Sequence, residues 1–308
     1  MAERVNVLAI DGGGMRGIIP ALVLADLEER TGRPTAGLFE LIAGTSTGGL
    51  LALALTRPNP RPAAELVDLY VEEGPRIFSR SLKRRILSLG GLLDERYPLK
   101  PLERALDDYL GDTRLSEALT DVLVTTYALE ERRPHMFKSA RARTDPKHDA
   151  PMALAGLATS AAPTYFEPVR VGDLALIDGG VYAANPAMVA YAEVRRHRPE
   201  GDTLLVSLGT GELTEPIRYE DARGWGSLEW VRPLIDVIFD GASDSVDYQL
   251  RQLLPEDRYA RFQTRLGEAS GELDDASEAN IRALVREGEG LVAERAAELD
   301  DLARRLVV

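Results

Sequence analysis

A serine stands between two glycines in Gly44-Thr45-Ser46-Thr47-Gly48, with the apolar run Leu38-Phe39-Glu40-Leu41-Ile42-Ala43 directly before it and the helix-forming run Gly49-Leu50-Leu51-Ala52-Leu53-Ala54-Leu55 directly after. A chain that turns from strand to helix in so few residues brings the two elements together at the turn. The positions two before and two after the serine then have no room for a Cβ, and Gly44 and Gly48 meet that need. Such a nucleophile elbow holds its central residue in a sharp turn and exposes the hydroxyl at the carboxyl edge of a sheet. The same five residues also suit a plain glycine-rich turn with a helix-capping serine, so the reading depends on what the rest of the chain supplies.

The first segment supplies a second motif. The short apolar strand Val5-Asn6-Val7-Leu8-Ala9-Ile10 runs into Asp11-Gly12-Gly13-Gly14-Met15-Arg16-Gly17 and then into an apolar, helix-like stretch from Ile18 to Leu27. Three successive glycines beside a helix amino terminus can turn backbone amides toward one negative oxygen, as acyl transfer requires when a tetrahedral intermediate forms. Gly12-x-Gly14-x-x-Gly17 also satisfies a dinucleotide-binding fingerprint, which is the rival reading. That fingerprint wants a carboxylate at the end of the next strand to hold a ribose, and this strand ends Ile42-Ala43-Gly44. Asp11 would also repel a pyrophosphate. Neither Lys-Ser nor Lys-Thr follows Gly17, so the phosphate loop of nucleoside triphosphatases is missing too.

A third motif, Leu176-Ile177-Asp178-Gly179-Gly180, delivers a carboxylate from an apolar strand into a glycine turn. A serine hydroxyl needs a neighbour to accept its proton, and histidine is the usual partner because it titrates near neutrality. The chain has only His135, His148 and His197, each in a polar or charged setting that reads as surface. Asp178 is therefore the candidate base, in a serine and aspartate dyad, with partial desolvation expected to lift its low pKa. Read by itself, Asp178 also suits a turn aspartate that caps a loop.

Taken together, these three blocks resemble the patatin-like phospholipases, lipid acyl hydrolases related to cytosolic phospholipase A2. Further matches are Ser160-Ala161-Ala162-Pro163-Thr164-Tyr165-Phe166 ahead of the aspartate, Asn185-Pro186 after it, and Ser207-Leu208-Gly209-Thr210-Gly211. The resemblance implies Ser46 as nucleophile, Asp178 as base, and Gly12, Gly13 and Gly14 as the oxyanion hole. It places Arg16 where it meets a phosphate or braces the loop, and it calls for no metal and no cofactor. It implies an α/β three-layer sandwich with a mainly parallel sheet flanked by helices, acting on phospholipids, lysophospholipids or other acyl esters, with transient contact to a membrane surface. Some bacterial relatives look like effectors switched on by a nucleotide signal, which leaves a regulated or low-activity partner as the alternative.

Composition agrees with this setting. The chain has 308 residues, 44% of them hydrophobic and none of them cysteine, enough for one large core without disulfides and compatible with cytoplasmic residence. Its formal charge of −13 disfavours nucleic acid and broad adhesion to anionic membranes. A single domain over residues 1–308 is expected. Within it, residues 76–97 carry a basic, apolar stretch that reads either as a lid or lipid contact or as a solvated amphipathic helix. The segment 275–308 reads as a helical tail. Helices are expected near 62–72, 99–110, 150–159, 186–196 and 228–254, the last interrupted, and strands near 121–127, 169–171, 174–177 and 203–208.

Overall fold

The computed structural model describes residues 4–79, 97–213 and 216–307. Nearly all of the lid or lipid-contact segment expected at 76–97 lies outside the described residues, as do Lys83, Arg84 and Arg85.

Strand β1 (Arg4–Ile10) is buried along almost its whole length. Its alternate residues face two different cores, Val5, Val7 and Ala9 on one side and Leu8 and Ile10 on the other. A strand apolar on both faces belongs in the interior of a sheet covered by helices on both sides. Accordingly β1 pairs in parallel with β2 (Leu41–Thr45) and β7 (Asp202–Leu208). Beyond them lie β3 (Asp121–Ala128), parallel to β2, and β8 (Tyr259–Phe262), parallel to β7. The far edge is antiparallel, with β6 (Leu174–Asp178) on β3, β5 (Val169–Val171) on β6, and β4 (Arg133–Lys138) also on β3. The eight strands run β5-β6-β3-β2-β1-β7-β8, with β4 attached to β3.

Helices cover both faces. The larger core holds α1 (Ile18–Thr31), α2 (Thr47–Thr56), α3 (Ala63–Ile77), α4 (Lys100–Leu110), α5 (Ser139–Thr144) and α6 (Met152–Thr159). After β6 come the short α7 (Gly180–Ala183) and α8 (Ala187–His197), then α9 (Tyr219–Ala222) and the long α10 (Ser227–Leu253). The opposite core takes Ala187, Ala190 and Val194 of α8 and Leu250 of α10. The expected helices appear within a few residues of where the apolar periodicity puts them, except that α10 is continuous. Pro233 lies inside it without interrupting it. One proline removes one intrahelical bond, and a helix of 27 residues with Phe239 and Leu250 buried outweighs that loss.

The carboxyl-terminal segment forms α11 (Glu278–Glu294) and α12 (Ala296–Leu306). Ser277 caps α11 by accepting a hydrogen bond from the Asn280 amide, and Leu299, Leu302 and Leu306 are buried in the larger core. Gly288 lets α11 approach α1, since a Cβ there would lie 2.5 Å from Leu22 Cδ1.

Candidate active site

Ser46 follows β2 directly and caps α2 with φ 53° and ψ −124°, a conformation that side-chain-bearing residues seldom adopt and that concentrates at functional sites. The flanking glycines are enforced by sterics. A Cβ at Gly44 would lie 2.1 Å from the Gly48 carbonyl oxygen, and one at Gly48 would lie 2.1 Å from the carbonyl oxygen of Ile10, on the neighbouring strand. The turn is held from outside as well, because the Ser46 amide donates to Thr159 Oγ1 at 2.9 Å and that hydroxyl donates to the Thr125 carbonyl at 2.7 Å.

Strand β3 brings the serine and the aspartate together. Thr45, one residue before Ser46, pairs with Thr125, and Asp178, the last residue of β6, pairs with Thr126. The two elements, far apart in the chain, thus end at consecutive positions on one strand, and both Ser46 and Asp178 line the same cavity. Thr45 Oγ1 ties the junction by donating to the Ala183 carbonyl at 2.6 Å while bonding Thr125 Oγ1 at 2.6 Å.

Asp178 is fully buried. Its Oδ1 accepts a hydrogen bond from the Gly180 amide at 2.7 Å, whereas Oδ2 has no hydrogen-bond partner among the described residues. Burial pushes the carboxyl up to about 7, against the smaller opposing pulls of the Ser46 hydroxyl and the Gly180 amide. The serine therefore lies close enough to favour the carboxylate, although the pair is not drawn into a hydrogen bond of normal geometry. Hydrogen bonds between groups that act together on a substrate are often long or poorly aligned in its absence. A carboxyl poised near neutrality serves as base and then as acid, which an ordinary aspartate does poorly.

The glycine block leaves β1 and passes beside the elbow, where a Cβ at Gly12 would lie 3.3 Å from Ser46 Cβ. Its three amides differ in use. Gly12 donates to the Ala184 carbonyl at 2.9 Å, while those of Gly13 and Gly14 make no hydrogen bond among the described residues. The Gly12 amide thus anchors the loop, which leaves Gly13 and Gly14 as the amides available to a ligand. Gly14 has φ +55°, and a Cβ there would lie 2.1 Å from the Leu273 carbonyl oxygen. Thr47, the first residue of α2, adds a helix amino-terminal amide beside Ser46. The elbow geometry makes that amide a further candidate donor, and the sequence reading had not singled it out.

Arg16 is buried and braces the loop, its Nε and a terminal nitrogen each 3.4 Å from the carbonyls of Gly13 and Gly211. Burial pulls its pKa down, while Asp240 and Asp236 act against that. It lines a smaller polar cavity with Asp11, Gly12 and Asp240, and not the cavity of Ser46. Of the two roles raised for Arg16, the geometry supports bracing. Behind the same loop the sequence conceals a buried ion pair, Arg261 to Asp11 Oδ2 at 2.6 Å, to which Ser243 also donates at 3.1 Å. Thr210 Oγ1 donates to the Gly12 carbonyl at 2.7 Å. In the sequence Asp11 counted only against a pyrophosphate, and nothing local to residue 11 points to residue 261.

No histidine lines the Ser46 cavity. His148 and His197 pair with Asp145 and Glu193 on their own helical turns. His135 sits edge-on to Phe137 in β4, and burial lowers its pKa.

The cavity itself, about 160 Å³, is lined by Ser46, Asp178 and Gly14 and by a wall of leucines from α2, α3 and α4, with Tyr109 of α4 among them. Tyr70 of α3 bonds Thr47 Oγ1 at 2.5 Å, which pins that wall beside Ser46. An apolar pocket with a few convergent polar groups at one end suits a ligand with one reactive polar centre and an aliphatic arm.

Comparison with known proteins places the chain in a family. A family model described as patatin-like phospholipase matches residues 8–191, which hold the glycine block, the Ser46 elbow and the Asp178 turn. Patatin-like protein 2 of Arabidopsis thaliana is 36% identical over 348 aligned positions, spanning 96% of this chain and 84% of the relative. Patatin-07 of Solanum tuberosum is 34% identical over 95% of this chain and 84% of its own length. A protein named probable inactive patatin-3-Kuras 1, also of Solanum tuberosum, is 33% identical over 97% and 89%. Among solved structures, that of VipD from Legionella pneumophila aligns with 95% of this chain and 67% of its own at 13% identity and a TM-score of 0.40. By sequence and by the motifs its site assembles, the chain belongs to the patatin-like phospholipase family.

Proposed function

We propose that this protein is a serine-dependent acyl hydrolase acting on fatty-acyl esters of phospholipids or lysophospholipids. Family membership alone does not carry the reading, because one relative is named as probably inactive. The observation that carries it is the meeting of a Ser46 held at positive φ and a buried Asp178 carboxyl at one end of an apolar cavity.

In the proposed reaction Asp178 takes the Ser46 Oγ proton as Oγ bonds to the ester carbonyl carbon. The oxygen of that carbonyl gains the negative charge, facing the amides of Gly13, Gly14 and Thr47. One such donor is typically worth about 100- to 1000-fold in rate. The tetrahedral species then breaks its bond to the alcohol, which leaves with the proton from Asp178, and an acyl-Ser46 remains. Water attacks that ester as Asp178 takes its proton, and the fatty acid departs as the proton returns to Ser46. Nothing in this sequence of steps requires Arg16.

Substrate of this kind lies at a lipid surface, and no helix among the described residues is long and apolar enough to cross a membrane. Eight of the twelve large hydrophobic residues exposed among the described residues fall between Ile217 and Leu253, among them Trp230, Leu234 and Val237 on one stripe of α10. That concentration supports transient contact with a membrane surface.

The test is to incubate the protein with a panel of phospholipids, lysophospholipids and short nitrophenyl esters, with and without cyclic nucleotides, and to identify products by mass spectrometry. A fluorophosphonate probe should label one residue, Ser46, and Ser46→Ala should lose both label and turnover. Labelling elsewhere, or turnover retained in the variant, overturns the proposal.

A further inference from the structure

The acyl arm of the cavity can be measured along its own helices. Leu50 lies four residues beyond Ser46 and Ala54 eight, so at 1.5 Å per residue α2 carries the wall about 6 Å and about 12 Å from the nucleophile. The other two helices keep the same scale. On α3, Tyr70 bonds Thr47 beside the serine and Leu66 lies one turn deeper; on α4, Leu102 and Leu110, eight residues apart, both line the cavity.

One turn down this arm the wall is backed by a residue that does not itself line it. Gly156 is a buried residue of α6, and a Cβ built on it would lie 3.0 Å from Leu50 Cδ2 and 3.4 Å from both Leu106 methyl carbons. Leu50 and Leu106 are wall residues. A carbon contact of 3.0 Å requires Leu50 to give by a few tenths of an ångström, the Leu106 methyls at 3.4 Å are left at the tight limit of ordinary contact, and the ends of both leucines are flexible. The empty volume open to them is the cavity they line, because the rest of their surroundings is packed core.

We propose that Gly156 sets the bore of the acyl arm, and with it the acyl-chain selectivity of the site, by leaving Leu50 and Leu106 room to stand back from the cavity. The inference rests on the hydrolase reading and extends it. Gly156 touches no substrate on this account; it is a positioning residue that acts through two side chains. The narrowing falls about 6 Å from Ser46, a depth an extended chain with carbon–carbon bonds of ~1.5 Å reaches near its fifth carbon. Butyryl esters stop short of it and octanoyl esters must pass it.

Gly156→Ala is the decisive variant, since Ala raises helix propensity at this position and any loss of long-chain turnover is read against that. With nitrophenyl butyrate, octanoate and dodecanoate, the octanoate-to-butyrate ratio of kcat/KM should fall about tenfold or more relative to the parent, the scale of discrimination that one methylene group brings in an apolar pocket. Adding Leu50→Ala to Gly156→Ala should restore the ratio, a rescue that a merely structural role for Gly156 would not produce. Leu50→Ala alone should raise it. An unchanged ratio in Gly156→Ala, or failure of the rescue, overturns the proposal; should Gly156→Ala not fold, an unchanged ratio in Leu50→Ala does so. If the parent cleaves no ester of any length, the hydrolase reading falls and the bore is measured by equilibrium binding of butanoic, octanoic and dodecanoic acids. A Gly156→Ala variant that then binds octanoic acid as tightly as the parent overturns the bore.

Discussion

Asp178→Asn separates the chemistry of this site from its effect on stability. The carboxyl rises from 3.8 to about 7 in the folded protein because it is buried, so the folded state holds its proton more tightly than the unfolded state does. Stability from this group is full below about pH 4 and falls as the pH climbs to about 7, by roughly three units or ~4 kcal/mol in all. Asparagine carries no charge at any of these pH values. It keeps the acceptor for the Gly180 amide, but its amide nitrogen replaces the unpartnered Oδ2, a penalty of about 1–3 kcal/mol that does not vary with pH. The difference between two pH values therefore isolates the carboxyl. Relative to the parent, Asp178→Asn should be ~3 kcal/mol more favourable at pH 8 than at pH 5, while ester hydrolysis falls by at least about 100-fold at both, the scale for loss of a general base. Urea unfolding read by tryptophan fluorescence and circular dichroism measures this directly, as a relative midpoint shift of about 0.5–1 M between the two pH values. An equal stability difference at pH 5 and pH 8 would refute the argument, because the carboxyl would then not be titrating in that interval and its poise as base would have no source.

The same poise predicts a pH profile in which kcat/KM for a soluble ester rises tenfold per unit below about pH 7 and levels above it, as the base must be unprotonated; His135→Gln, His148→Gln and His197→Gln should each leave the profile in place. Gly48→Ala, whose Cβ would meet the Ile10 carbonyl at 2.1 Å, should lose about 3 kcal/mol or fail to fold, whereas Gly290→Ala, in open space on α11, should gain about 0.5–1 kcal/mol in thermal or chemical unfolding. Arg261→Met strands the buried Asp11 carboxylate and should destabilise by about 3–5 kcal/mol in urea unfolding, with oxyanion support at Gly13 and Gly14 weakened, so that kcat falls more than KM rises.

The elements of this chain that depend on near neighbours were legible before the fold was seen. Gly44 and Gly48 flank a strand-to-helix turn, and the constraint on them comes from atoms within a few residues and from one adjacent strand. The apolar periodicity of α4, α6 and α8 marks their buried faces, because a helix repeats its inward side every three or four residues. Resemblance between the three glycine-bearing motifs here and those of a known family pointed to Ser46 and Asp178 as partners, but spacing in the chain held no distance between them. That came from register: β2 and β6 end at Thr125 and Thr126 of one strand, and strand pairing is a long-range choice that local pattern does not encode.

Tertiary structure also decided matters of chemistry. The pKa of Asp178 follows from complete burial, which requires β3, α6 and α7 to close around it. Three consecutive glycines looked equivalent as amide donors until Ala184 claimed the Gly12 amide, and the guanidinium of Arg16, open to two roles in the sequence, meets the Gly13 and Gly211 carbonyls. Asp11 needs Arg261, from a strand near the other end of the chain, and Gly156 gains meaning only beside Leu50 and Leu106. Local sequence sets what each residue is able to do, through its own geometry and polarity. Which neighbour it does it with, and at what dielectric, is a property of the packed whole.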